Sequence, residues 1–181
     1  MYSINNFQEL ETNRLHMRRL EETDWPMIRY LRSDKEVNRF VKRQPAETKE
    51  KALAFIAKTN NDINNGQLYQ WCISLKNSPE MIGNICLWNF SQDYKTAEMG
   101  YDLSPIFQGQ GIMNEATMKV LDFGFNKLNL DKIEAFTNKQ NERSKKLLLR
   151  NNFKWNTSRN DPDDLDNLIY EIYKVNYRGN S

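Results

Sequence analysis

Two spacings of apolar residues alternate along this chain, a period of two and a period near 3.6, and they predict its elements. In residues 11–20, Leu15 and Met17 fall on one side and His16 and Arg18 on the other, as in a strand. Thr23-Asp24-Trp25-Pro26 supplies a capping residue and an early proline. They mark a helix start whose apolar face is Trp25, Ile28 and Leu31 and whose end is Ser33-Asp34. A second helix is predicted from Thr48, with Leu53, Phe55, Ile56 and Ile63 as its buried stripe and Asn64-Asn65-Gly66 as its stop. Residues 68–75 alternate, with Tyr69, Trp71, Ile73 and Leu75 on one side; after a turn at 76–80, residues 81–90 complete a hairpin. Residues 91–95 turn the chain into a further strand, 96–103. There Ala97, Met99, Tyr101 and Leu103 share one face and Glu98, Gly100 and Asp102 the other.

Ser104-Pro105-Ile106-Phe107 connects that strand to Gln108-Gly109-Gln110-Gly111-Ile112-Met113-Asn114, which opens a long helix. Ala116, Val120, Leu121, Phe123, Gly124 and Leu128 keep helical spacing to residue 128, a rod of roughly 25 Å at 1.5 Å per residue. Residues 132–137 form a short strand that this helix can join in parallel to 96–103 by a right-handed crossover. A helix at 141–150 with Leu147 and Leu148 buried, a left-handed cap at Asn151-Asn152 and strands at 153–158 and 168–175 complete the pattern. An acidic loop at 161–166 joins the last two strands and reads as solvated, or else as a loop that attracts a basic peptide. The order predicts an α+β fold with a mixed, mostly antiparallel central sheet, flanking helices and one β-α-β crossover, in a single domain over 1–181.

The glycine turn changes this picture first. Two glycines between strand and helix permit torsions that a Cβ forbids. The first N–H groups of a helix lack partners inside it and carry the positive end of its dipole. The turn is therefore either an anion site, most suited to phosphate, or a piece of connection geometry. Composition narrows the field. Among 181 residues, 28% are charged and 39% apolar, with a net charge of +2, which gives no ground for a nucleic-acid or membrane partner. No apolar run approaches the roughly 20 residues that cross a bilayer, and residues 1–6 lack the basic-then-apolar form of a secretory signal. Cys72 and Cys86 stand apart in apolar runs, as buried thiols of a cytoplasmic protein do. With one histidine and no Cys/His cluster, no metal site is expected. His16 reads as a surface residue of its strand. The sequence leaves the oligomeric state open, a homo-oligomer included.

Gly109-Gln110-Gly111 lacks the GxxxxGK of a nucleotide phosphate loop, and Asn114 stands where a dinucleotide fingerprint has its third glycine. Asp131 or Glu134 would supply that fingerprint's acidic residue, but antiparallel strands precede the turn. Gln108-x-x-Gly111-x-Met113 instead resembles the acetyl-CoA signature of the GNAT superfamily of N-acetyltransferases, with Met113 a departure at its last small position. The resemblance spans nearly the whole chain. It includes Glu11-Thr12-Asn13-Arg14-Leu15 with Arg18, Ile82-Gly83-Asn84-Ile85, Ala97-Glu98-Met99-Gly100-Tyr101, and Asn141-x-x-Ser144 followed by Asn152-Phe153. The branch it is most similar to is that of the ribosomal-protein alanine or serine N-terminal acetyltransferases.

This resemblance implies a GNAT-like fold that takes acetyl-CoA as co-substrate. It implies that N–H groups of Gln108, Gly109, Gln110, Gly111, Ile112, Met113 and Asn114 hold the pyrophosphate, and that main chain near Tyr101 and Leu103 pairs with the pantetheine arm. Asn141 would bond that arm, and Arg143, Lys145 and Lys146 would meet the adenosine phosphates or else form a solvated helix face. A primary amine, protonated near neutral pH, would attack the thioester directly. Glu98 is then the candidate base, or else an exposed strand glutamate. Ser144 is the candidate acid, or else an ordinary helix serine, because Leu148 stands where many relatives have a tyrosine. Trp71, Trp88 and Trp155 read as core, or as walls of an acceptor pocket. Gly111→Val is expected to abolish cofactor binding by closing the phosphate site. The acceptor expected is a protein N-terminus. The alternatives are a small amine such as a polyamine or aminoglycoside-like compound, a coenzyme A-binding protein without catalysis, and a nicotinamide-dependent oxidoreductase.

Overall fold

The computed structural model describes residues 7–177. The strands are β1 (Leu10–Glu11), β2 (Leu15–Arg18), β3 (Tyr69–Leu75), β4 (Ser78–Trp88), β5 (Thr96–Leu103), β6 (Lys132–Asn138), β7 (Lys154–Trp155) and β8 (Asn167–Tyr173). They form one eight-stranded sheet in the order β1-β2-β3-β4-β5-β6-β8-β7. Its one parallel pair is β5 with β6. The helices are α1 (Trp25–Ser33), α2 (Lys49–Asn64), α3 (Ile112–Asp122) and α4 (Glu142–Arg150).

The alternation of side chains sorts the two faces. On one, α3 and α4 cover Ala97, Met99, Leu103, Ile133 and Ala135 with Ala116, Val120, Leu121 and Leu148. On the other, α1 and α2 cover Cys72 and Met81 with Ile28, Leu31, Ala52 and Ile56. Central β3 is therefore buried on both sides. α1 and α2 stop short of β5, β6 and β8, so the face carrying Trp88, Glu98 and Glu134 is left for loops to line.

Several elements differ from expectation. Residues 11–20 hold two short strands, because the Thr12 hydroxyl accepts the Leu15 N–H at 2.9 Å and turns the chain back on itself. Arg18 is buried in a bidentate pair with Asp24 at 2.8 and 2.9 Å. The buried stripe of α2 is Ala52, Ile56, Thr59 and Ile63, which keeps the helical period that Leu53 and Phe55 break. On α4, Leu148 is buried and Leu147 half-buried. After α3 the helix widens into a π-turn at Phe123–Lys127, where the Leu128 N–H reaches the Phe123 carbonyl at 3.0 Å. The residue added to that turn buries Phe123, Gly124 and Phe125 together. β7 has only two residues. Asn152 takes the left-handed cap, φ 63°.

Candidate active site

β5 and β6 part company. Their register runs Thr96↔Lys132, Ala97↔Ile133, Glu98↔Glu134 and then stops. From Met99 to Leu103, β5 is paired with β4 alone, while β6 continues against β8. Every second peptide of that stretch faces the gap without an opposing strand. The result is a wedge, closed at Glu98 and open at Leu103.

At the open end lies the glycine turn. Gly109 and Gly111 both have φ 76°. Among the described residues, no N–H from Gly109 to Asn114 donates to a protein acceptor; the first bond of α3 is Glu115 N–H to the Gly111 carbonyl at 3.0 Å. Consecutive free N–H groups with alternating torsions, topped by a helix dipole, make an anion cradle. Gln108 binds both edges of the opening. Its amide donates to the Leu103 carbonyl at 3.0 Å, and its carbonyl accepts from Arg143 of α4 at 2.5 Å. The side chains of Ile112 and Met113 are buried in the core, so those residues offer main chain only. A Cβ at Gly111 would meet nothing nearer than the Arg14 guanidinium at 3.5 Å. Within the protein itself, Gly111→Val is thus costly through its positive φ, which a β-branched residue resists.

At the closed end, on the face that α1 and α2 leave open, Glu98 accepts from the Asn89 amide at 2.7 Å. Burial, with Glu134 and Asp161 nearby, pushes its carboxyl above the ordinary range, although Asn89 and Arg159 pull the other way. Burial also pushes Glu134 up, but Arg159 and Lys132 bind it and hold it below the usual value. Gly100, next on this face, leaves room above the Cys86 sulfur. Asp102 is held by Arg43 at 2.6 and 3.1 Å, and Lys42 reaches Asp164 at 3.0 Å. The α1–α2 connection and the 156–166 loop thus meet across this trough.

Inside the wedge, on the opposite face, the Tyr101 hydroxyl and the Ser144 hydroxyl lie 2.7 Å apart. Ser144 is buried in the first turn of α4. Burial pushes the Tyr101 phenol up to about 12, so it stays protonated. Asn141 caps α4, its side-chain oxygen accepting the Ser144 N–H at 3.1 Å, and its amide N–H groups remain to offer. Lys145 is bound to Glu142 and the Lys139 carbonyl, and Lys146 is exposed.

The expected site residues thus gather along one wedge, Gln108–Asn114 at its mouth and Glu98 and Ser144 deeper, on opposite faces. Three expectations need correction. Trp71 is core, but Trp88 and Trp155 are about half exposed (47% and 52%), beyond the reach of the covering helices. The acidic loop is not simply solvated, since Asp161 is buried and accepts from Asn167 at 2.8 Å. Cys86 is half-buried beside Gly100 while Cys72 is fully buried, and burial pushes both thiols up to about 12. Sequence reasoning also missed Asn89, Arg159 and the Tyr101–Ser144 contact, each joining residues distant in the chain with no local signal.

The family model described as Acetyltransferase (GNAT) domain matches residues 14–154. The chain is 34% identical over 141 residues to the uncharacterized N-acetyltransferase p20 of Bacillus licheniformis, covering 78% of this chain and 79% of that one. Ribosomal-protein-S5-alanine acetyltransferase from Vibrio fischeri has the same fold, with a TM-score of 0.78 at 20% identity over 94% of this chain and 99% of that one. So does RimL, the ribosomal L7/L12 alpha-N-protein acetyltransferase solved in complex with coenzyme A, with a TM-score of 0.79 at 18% identity over 92% and 98%. With the wedge, the cradle and a family match over most of the chain, this protein belongs to the GNAT family and is an acetyl-CoA-dependent N-acetyltransferase.

Proposed function

We propose that this chain acetylates a protein N-terminal amine by direct transfer, with the cofactor seated in the β5–β6 wedge. The observation that carries the seat is the row of unpartnered N–H groups from Gly109 to Asn114 at the wedge mouth. They suit a pyrophosphate. Free peptides of β5 between Tyr101 and Leu103 suit the amides of a pantetheine arm, as does the remaining Asn141 amide. Arg143 is placed to leave Gln108 for a phosphate; Lys146 stands free on the same helix.

Acetyl-CoA supplies an activated acyl carbon. Glu98, half-buried with a raised pKa, takes the proton of the ammonium, through water where the two are not in contact, so the amine nitrogen can bond to that carbon. A β5 N–H facing the gap stabilises the charge that develops on the carbonyl oxygen. As the C–S bond breaks, the sulfur takes a proton from Ser144, Tyr101 replaces it through their hydrogen bond, and the second proton shed by the amine nitrogen returns to Tyr101 through water. Amide and thiol are the products, and the atoms balance without an acyl-enzyme.

The acceptor reading draws on the fold shared with RimL and on a trough open to solvent at Trp88. A polyamine is the second reading, favoured by Glu98, Glu134, Asp161 and Glu171 gathered around Arg159. The test is thiol release from acetyl-CoA with a panel of peptides, polyamines and aminoglycosides. Release with peptides of free N-terminus is expected. Release with polyamines alone would overturn the acceptor. Binding of acetyl-CoA without release for any amine would overturn catalysis, and failure to bind it would overturn the whole reading.

A further inference from the structure

Arg14 lies on the far side of the glycine turn from α4 in sequence and plays no part in the transfer just described, yet it grips that turn. Its NH1 donates to the Gln110 carbonyl at 2.9 Å. Its Nε donates to Glu115 Oε2 at 2.7 Å and its own backbone N–H to Glu115 Oε1 at 3.0 Å. The Thr12 hydroxyl also donates to Oε1. Glu115 is thus locked in the first turn of α3 by three donors from the β1–β2 turn, and the guanidinium is fixed between Glu115 and the loop.

Two consequences follow for the cradle. A trans peptide is planar, so its C=O and the next N–H point in opposite directions. No cis peptide occurs among the described residues. Holding the Gln110 carbonyl toward Arg14 therefore turns the Gly111 N–H away from it, and a cation on the oxygen draws charge out of the same peptide and strengthens that N–H as a donor. Among the described residues, no other group holds the Gln110 carbonyl, and Gly109 and Gly111 on either side have the torsional freedom to let the peptide rotate. The second consequence is electrostatic. Burial pushes the Glu115 carboxyl up, but Thr12 and Arg14 together hold it below its ordinary value, so it is ionised. An uncompensated anion one turn from the cradle would repel a pyrophosphate. Arg14 cancels it.

We propose that Arg14 is a positioning residue for the phosphate loop, aiming the Gly111 N–H and neutralising Glu115 so that the loop accepts a diphosphate. The proposal rests on the reading that the cradle holds the pyrophosphate of coenzyme A. Arg14 is about half exposed (48%) and borders an open cavity of about 630 Å³ with Met118 and Lys119, so its removal opens no core.

The test compares acetyl-CoA with acetyl-pantetheine, which lacks the diphosphate and nucleotide, in the wild type, Arg14→Ala and Arg14→Lys. A charged hydrogen bond is worth roughly tenfold or more in affinity. Arg14→Ala should therefore raise KM for acetyl-CoA about tenfold, with kcat at saturation unchanged and kcat/KM for acetyl-pantetheine unchanged. Arg14→Lys, which keeps one donor and the charge, should recover part of the loss; it carries the test if the alanine variant fails to fold. Equal losses with both substrates, or an unchanged KM for acetyl-CoA, would overturn the proposal while leaving the cofactor reading intact. A wild type that binds no acetyl-CoA would overturn both.

Discussion

Glu98 sits at the last register pair before the sheet divides, and this placement gives it two properties that a surface glutamate lacks. It is partly desolvated, and it lies where an amine approaching from the α1–α2 face would meet the wedge. Burial raises its pKa, so the acid limb of the pH–rate profile should fall above the ordinary carboxylate value of about 4.3. Below that limb Glu98 is protonated and cannot accept; above it, it can. A general base contributes about 10²-fold or more. Glu98→Gln should therefore lower kcat/KM about 100-fold at neutral pH and less as the pH rises and free amine accumulates. A pH-independent loss would remove Glu98 as the base. The hydroxyl pair should matter less. A thiol has a pKa of about 8.5, low enough to leave as thiolate with modest help. Tyr101→Phe and Ser144→Ala should each lower kcat about tenfold with little change in KM for acetyl-CoA. Because they form one relay, the double variant should be no worse than either single one. Additive losses would mean that the two hydroxyls act separately.

Elements were legible in the sequence where a single surface decided them. α2 begins beside Thr48, as expected, and Thr48 caps it, accepting from the Lys51 N–H at 3.3 Å. The glycine turn does precede a helix, and β5 and β6 do pair in parallel because one helix must span between them. Illegible were features set by distant partners. Alternation placed Glu98 opposite Met99 and Tyr101, but not that its strand loses its neighbour one residue later. Apolar Trp88 and Trp155 looked like core because hydrophobicity does not reveal where α1, α2 and α4 stop covering the sheet. Gly83 shows how tightly such contacts are set. A Cβ there would lie 2.5 Å from the Asp102 carbonyl and 3.1 Å from the Leu103 Cα, so backbone must move. Overpacking of this kind costs about 1–3 kcal/mol. In a chain of this size, Gly83→Ala should then lower Tm by about 2–4 °C per kcal/mol. It should also weaken acetyl-CoA binding by shifting the free end of β5. Thermal melts alongside titration with coenzyme A test both effects, and a lowered Tm with unchanged affinity would separate the β4–β5 contact from the site.

The molecule as a whole is two blocks of sheet hinged at a short parallel seam. β1 to β5 form one block and β6 to β8 the other, joined in the sheet, among the described residues, only by the register from Thr96 to Glu98. Beyond it the blocks are tied by α3 packed beneath, by Tyr101 to Ser144 and by Gln108 to Arg143. A ligand lying in the wedge replaces missing strand pairing on both sides, so it binds the folded state and not the unfolded chain. At 100 times its Kd such a ligand adds about 2.7 kcal/mol, which for this chain length is about 5–10 °C in Tm. The gain should also be localised. Among the described residues, the N–H groups from Gly109 to Asn114 have no acceptor and should exchange with solvent quickly, whereas the paired amides of β3 and β4 exchange only on larger openings. Coenzyme A should slow exchange in that segment, in the free stretch of β5 and in the first turn of α4, leaving β3 and β4 little changed. Protection confined to the trough around Trp88 and Glu98 would mean that the cofactor does not lie along the wedge, and that the unpartnered N–H groups serve only the geometry of the turn.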